Sequence, residues 1–314
     1  MDTEVSKKLS KRAANIIFRL LGGSPLFEPP GHFYSPVVEP AEARRFVLNA
    51  SVLSDGTSLP RIDRDVIAGT FSRLSRHLPE IKSFLGVTET LRYRESRTYF
   101  NFGEAFILSA FIAEFRPKTF IEVGSGYSSA CAVDTSEMLD IGTNFTFIDP
   151  NPERLNGILF DRDRASCRVH PSPVQDIDPG VFDLLEENDI LFLDTTHVLK
   201  TGSDLNFELF HILPRLKPGV IIHFHDIFAD WEYPNIWLYR DNRSWNEIYA
   251  LRSFLMYNND FEILYFNHHV WKNMPDLLEG TVLSSIPDPG SGIYIRKKRP
   301  ALRTAANGDA SAPL

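Results

Sequence analysis

The chain has 314 residues and 43% hydrophobic side chains, enough for one large domain, or a domain with an appended region, around a packed core. A formal net charge of −8 argues against a nucleic-acid partner held by phosphate neutralisation. No run is apolar enough to span a bilayer, Met1–Ser10 is polar rather than a secretory leader, and the 2 cysteines, Cys131 and Cys167, read as buried thiols in a reducing, cytoplasmic setting.

Taken in order, residues 1–23 pattern as a short amphipathic helix whose basic face includes Lys7, Lys8, Lys11, Arg12 and Arg19, read as a solvated helix closing over the domain. Prolines through 25–40 rule out a helix there and predict an ordered arm. Helices are expected over 41–49 and 62–85, the latter capped by Asp63. Residues 92–102 mix aromatic and polar side chains, which suits a pocket lining or a strap packed under the core. An apolar helix over 103–115 then leads into alternating strands and helices. Strands are predicted at 119–123, 143–149, 167–171, 189–194, 219–226, 261–267 and 292–296, with helices at 130–139, 152–160, 203–216 and 245–258. Alternation of this kind specifies an α/β fold with a parallel sheet and right-handed crossovers. The last two strands have no predicted helix between them, so an antiparallel edge is expected. Residues 1–95 are assigned as an N-terminal helical and loop cap, 96–298 as the main domain and 299–314 as a flexible tail.

The stretch Thr119–Ser129, Thr-Phe-Ile-Glu-Val-Gly-Ser-Gly-Tyr-Ser-Ser, reads as a buried strand, a glycine turn and a helix N-terminus. Glycines let backbone approach a ligand, and the first helical turn offers free N–H groups. A dinucleotide fingerprint would want a third glycine where Ser129 stands, and a pyrophosphate would not welcome Glu122. Glu-x-Gly-x-Gly instead resembles the first motif of class I S-adenosylmethionine-dependent methyltransferases, with Ser128 at the third small position. The resemblance covers roughly residues 100–298, implies the Rossmann-like seven-stranded sheet of those enzymes, and makes Glu122, Gly124, Ser125, Gly126 and Ser128 cofactor contacts. Strand-end positions extend the set. Asp149 suits the ribose hydroxyls, and Gln175 and Asp176 suit the adenine amino group.

Two further strand ends carry more chemistry. Leu191-Phe192-Leu193-Asp194 is followed by His197, and Ile221-Ile222-His223-Phe224 by His225-Asp226. Neighbouring parallel strands lie about 4.8 Å apart, so Asp194, His197, His225 and Asp226 are expected to converge beside the methyl donor, with Asp194 also at the cofactor. Such a set suits Mg²⁺ or Mn²⁺ better than tetrahedral zinc. His223 reads as a satisfied core histidine, His268 and His269 as edge residues, and the aromatic loop 227–244 as a lid or a packed loop. The pattern resembles the metal-assisted sugar O-methyltransferases that tailor macrolide antibiotics, and a wider group of uncharacterised bacterial methyltransferases. That resemblance implies Asp194 and Asp226 as metal ligands and His197 as general base. His225 stands where that family has an acid, and would bind metal as a neutral imidazole. The expected partners are a small-molecule or glycan methyl acceptor, with a homo-oligomer allowed, and no nucleic acid or integral membrane association. Competing readings are a metal-independent N- or carboxyl-methyltransferase, a non-catalytic S-adenosylmethionine-binding protein and, last, an NAD-dependent oxidoreductase.

Overall fold

The computed structural model describes residues 13, 16–17, 20, 27–28, 31–45, 59–87, 90–95 and 99–299. Most of the expected helix over 1–23, the end of the 41–49 helix and the tail beyond residue 299 lie outside them. The chain divides into two compact units, Met1–Leu59 with Glu232–Asn246, and Pro60–Trp231 with Glu247–Leu314. In the first, Tyr233 and Trp245 pack edge to face with ring centroids 5.8 Å apart, and the Arg243 guanidinium lies over Trp237 and Trp245 at 4.3 and 4.7 Å. The aromatic loop is therefore split between the units at Trp231.

The second unit begins with helix α1 (Arg64–Leu74), where the Asp63 carboxylate accepts from the Asp65 and Val66 N–H groups as expected of a cap. Helix α2 (Leu78–Phe84) follows after a single tight turn. Helix α3 (Phe102–Phe115) is apolar on nearly every face and correspondingly buried. Its start is fixed by a reciprocal pair: Asn101 accepts from the Glu104 N–H, and Glu104 from the Asn101 N–H.

The sheet has seven strands in the order β3-β2-β1-β4-β5-β7-β6. They are β1 (Thr119–Val123), β2 (Asn144–Ile148), β3 (Cys167–His170), β4 (Ile190–Leu193), β5 (Ile221–His225), β6 (Phe261–Phe266) and β7 (Gly292–Lys297). β1 to β5 are parallel, while β7 runs antiparallel to both β5 and β6, giving the expected antiparallel edge of a Rossmann-like fold. Between the strands lie α4 (Tyr127–Met138), α5 (Glu153–Asn156), α6 (Asp204–Phe207), α7 (Glu247–Tyr257) and α8 (Asn267–Asn273). α3 packs on the sheet through Phe111, which stacks on Tyr294 at 3.9 Å, and α1 through Phe71, 6.0 Å from Tyr265.

Three element predictions need correction. The segment 203–216 is not one helix: α6 passes into a π-helical turn over Glu208–Ile212 and a tight turn over Leu213–Arg215, because Pro214 cannot donate to a continuing α-helical ladder. Of 152–160 only Glu153–Asn156 is helical. β6 and β7 are separated by α8, so they are paired across the fold rather than joined as a tight hairpin. Among the described residues no helix is long and apolar enough to cross a membrane.

Candidate active site

The β1–α4 turn depends on backbone freedom at one position. Gly124 has φ +83°, and a Cβ there would lie 1.7 Å from the Asp194 carbonyl oxygen. The turn is knitted by short polar contacts. The Gly124 N–H donates to the Ile148 carbonyl at 2.9 Å, the Ser125 N–H to Asp149 Oδ2 at 2.9 Å, and the Asn151 N–H to Asp149 Oδ1 at 2.7 Å. Glu122 is fully buried, and its two oxygens accept from the hydroxyls of Ser128 and Ser129 on α4, the second at 2.6 Å. Burial outweighs both hydroxyls and pushes the Glu122 carboxyl up to about 8. Glu122 thus braces the turn from behind.

A cleft of about 130 Å³ opens over this turn, lined by Gly124, Ser125, Gly126, Ser128, Asp149 and Asp194 among the expected residues, and also by Tyr99, Phe100, Tyr127 and Arg154. The Arg154 guanidinium sits over the Tyr99 ring at 4.4 Å. Both readings of residues 92–102 hold in part. Tyr99 and Phe100 line the cleft, whereas buried Arg92 ties the strap to Asp134 and Asp163, with bonds of 2.7 Å to each. Gln175 and Asp176 lie outside the cleft lining, on a tight turn where the Gln175 amide donates to the Gly202 carbonyl at 2.8 Å.

The sheet register pairs Leu193 with Phe224, which sets Asp194 level with His225. The four expected residues meet there. His197 Nε2 stands 3.5 Å from Asp194 Oδ1 and 3.6 Å from Asp226 Oδ2, and His225 Nε2 stands 3.8 Å from Asp226 Oδ1. His197 and Asp226 both adopt left-handed backbone, φ +58° and +56°, a strain that persists only where surrounding structure imposes it.

Three members of this cluster were not legible in the sequence. Glu104 Oε1 lies 3.6 Å from His225 Nε2 and accepts from the Ser291 N–H at 3.0 Å. Ser291 Oγ donates to Asp226 Oδ1 at 2.9 Å. Glu247, at the start of α7, places Oε2 2.6 Å from His197 Nδ1. A capping-box pattern, Asn-x-x-Glu, could have marked Glu104 as a helix start, but nothing local marks Glu247 or Ser291 as site residues.

Burial alone would depress both site histidines. For His197 the hydrogen bond and charge of Glu247, with Asp226 and Asp194, win and raise it to about 9. For His225 the carboxylates of Asp194, Glu104, Asp226 and Glu247 do the same. Burial also pushes the partner carboxyls of Asp194, Glu104 and Glu247 up, so acids and imidazoles share protons across one buried cluster. Added positive charge beside Asp194 and Asp226 would favour the unprotonated imidazole that a base requires. His223 departs from expectation. It is buried between Phe192 and Tyr294, with ring centroids 4.1 and 4.4 Å away, but neither ring nitrogen is hydrogen-bonded, and burial holds it well below its ordinary value. β5 carries it into the core where no acceptor or donor reaches.

The donor chemistry fits a hard divalent cation in that two carboxylates, Asp194 and Asp226, converge on one point at His197 Nε2 and supply oxygen donors there. Among the described residues, however, no three His, Cys, Asp or Glu side chains are already arranged about one metal position.

A family model described as a methyltransferase domain matches residues 121–227, from β1 to just past β5. An uncharacterized protein from Archaeoglobus fulgidus is 32% identical over 174 residues, spanning 51% of this chain and 74% of that one. The fold is distantly similar to the Podospora anserina methyltransferase PaMTH1 bound to SAH, at 14% identity and a TM-score of 0.40, covering 82% of this chain and 97% of that one. It is likewise similar to the O-methyltransferase TomG from Streptomyces achromogenes in complex with SAM, at 13% identity and a TM-score of 0.41, covering 82% and 99%.

Proposed function

We propose that the chain, which a methyltransferase-domain model matches over residues 121–227, is an S-adenosylmethionine-dependent methyltransferase that methylates a hydroxyl of a small molecule or sugar, with His197 as general base. The observation that carries this reading is the position of His197 Nε2 within 3.6 Å of both Asp194 and Asp226, while Asp194 also lines the glycine-turn cleft. Cofactor cleft and proton acceptor therefore share a wall.

The cofactor supplies a methyl group already activated on its sulfonium, which leaves the protein to orient an oxygen nucleophile and remove its proton. Gly124, Ser125, Gly126 and Ser128 present backbone and small side chains to the cofactor, and Asp149 at the end of β2 accepts from its ribose hydroxyls. Glu122 acts through Ser128 and Ser129, holding the turn in shape. Asp194, Asp226 and His225, the last as a neutral imidazole, would hold a divalent cation, which lowers the pKa of an acceptor hydroxyl when bound. His197 receives the proton at Nε2.

Calorimetry with S-adenosylmethionine, with and without Mg²⁺, tests the cofactor and the cation separately. A panel of hydroxyl acceptors assayed for S-adenosylhomocysteine release then tests the base. His197→Ala is expected to lose about 10²–10⁴-fold in turnover while binding the cofactor as the wild type does. An active His197→Ala variant would remove the base assignment. The lack of a ready-made three-ligand arrangement among the described residues favours a second reading, metal-independent transfer to a nitrogen or carboxylate. Undiminished activity in EDTA selects it.

A further inference from the structure

We propose that Glu247 is the positioning residue of the site, keeping a proton on His197 Nδ1 and the ring turned so that Nε2 alone exchanges protons with the cleft. This rests on the reading of His197 as base. Glu247 holds His197 twice: its Oε2 lies 2.6 Å from Nδ1, and its own N–H donates to the His197 carbonyl at 3.2 Å. The two residues are 50 positions apart, and both side chains are buried, 5% and 2% exposed. A bond inside the protein at that distance is charge-assisted and directional. An acceptor that is a carboxylate fixes the imidazole tautomer, since only a protonated Nδ1 satisfies it.

Two further features show that the arrangement is imposed rather than incidental. His197 is in left-handed backbone, which a non-glycine residue does not adopt without support, and the Glu247 N–H bond to its carbonyl supplies part of that support. Behind the pair, Glu208 is fully buried in the π-helical turn Glu208–Ile212 with neither oxygen hydrogen-bonded, and burial keeps it well above the usual carboxylate range. At Glu247 burial also pushes the carboxyl up, and the hydrogen bond and charge of His197 work against it.

The test uses the full-length protein labelled with ¹⁵N in histidine, with S-adenosylhomocysteine as the probe. In the wild type the His197 Nδ1-bound proton is expected as a downfield, slowly exchanging resonance. Glu247→Gln should lose that signature, and Glu247→Asp, whose shorter side chain keeps the charge, should restore part of it. A wild-type His197 with Nδ1 unprotonated, or a resonance unchanged in Glu247→Gln, overturns the proposal. Should Glu247→Gln fail to fold, the wild-type spectrum alone still decides. Failure of the underlying reading looks different: the Nδ1 proton is present, but the Nε2 resonance ignores S-adenosylhomocysteine, placing His197 outside the working cleft.

Discussion

The two rims of the cleft handle their carboxylates in opposite ways. On the glycine-turn side Glu122 and Asp149 are satisfied by neutral donors close in sequence: the hydroxyls of Ser128 and Ser129, the Ser125 N–H and hydroxyl, and the Asn151 N–H. On the β4–β5 side Asp194, Asp226, Glu104 and Glu247 are set against two imidazoles. Neutral donors fix geometry without moving charge. Imidazoles can gain or lose a proton, so under the proposed function their rim is the one that moves protons and the glycine-turn rim the one that holds the cofactor.

The strongest way to break that contrast is to deform the holding rim alone. Gly124→Ala puts a methyl group 1.7 Å from the Asp194 carbonyl at φ +83°. Overpacking and backbone strain together predict a loss on the order of 4 kcal/mol, read from urea unfolding, with calorimetric binding of S-adenosylmethionine lost as well. A variant of unchanged stability would show that the turn has slack that the structure does not display.

Glu122 offers a gentler test, through pH. Its folded pKa, about 8, is raised above the ordinary 4.5, so the native state holds a proton that the unfolded chain releases between those values. Its contribution is fully present below the unfolded pKa, falls as pH rises, and is lost once pH passes about 8. The slope from this one group is at most about 1.4 kcal/mol per pH unit. Glu122→Gln should flatten that part of the wild-type stability curve measured by urea unfolding between pH 5 and 8. Parallel curves for the two proteins would mean that Glu122 stays ionised in the fold, and the holding rim would then carry charge after all.

The same contrast explains what could be read from the sequence. The glycine turn, Asp149, Asp194, His197 and the His225-Asp226 pair sit at or just past strand ends, and the short continuous apolar runs of buried parallel strands mark where those ends fall. Glu104 and Glu247 lie in helices, where a buried acid looks like a cap or a surface residue until tertiary packing turns it inward. Ser291 precedes β7, whose insertion between β5 and β6 is a long-range pairing with no local signal. Arg154 lies in the short helix after β2, and its contact with Tyr99, 55 positions earlier, is tertiary packing with no local signal. The helix over 203–216 failed for a local reason, since Pro214 was visible, but the π-helical turn before it was not.

The smallest expected effect tests whether the acting rim is a network or a set of separate pairs. Ser291 Oγ donates to Asp226 Oδ1 at 2.9 Å, while the Ser291 N–H donates to Glu104 Oε1 at 3.0 Å. Ser291→Ala removes the first bond and keeps the second. Hydrogen bonds to charged acceptors contribute about 1.5–3 kcal/mol, and with the Asp226 side chain 16% exposed the lower end, about 1.5 kcal/mol, is expected in urea unfolding. If Asp226 is tied to His197 and His225 as one network, Ser291→Ala and Asp226→Asn will not add, and their coupling should exceed 0.5 kcal/mol. Additive losses would mean that Ser291 steadies only its own loop, and that Asp226 takes its position from the left-handed turn after β5.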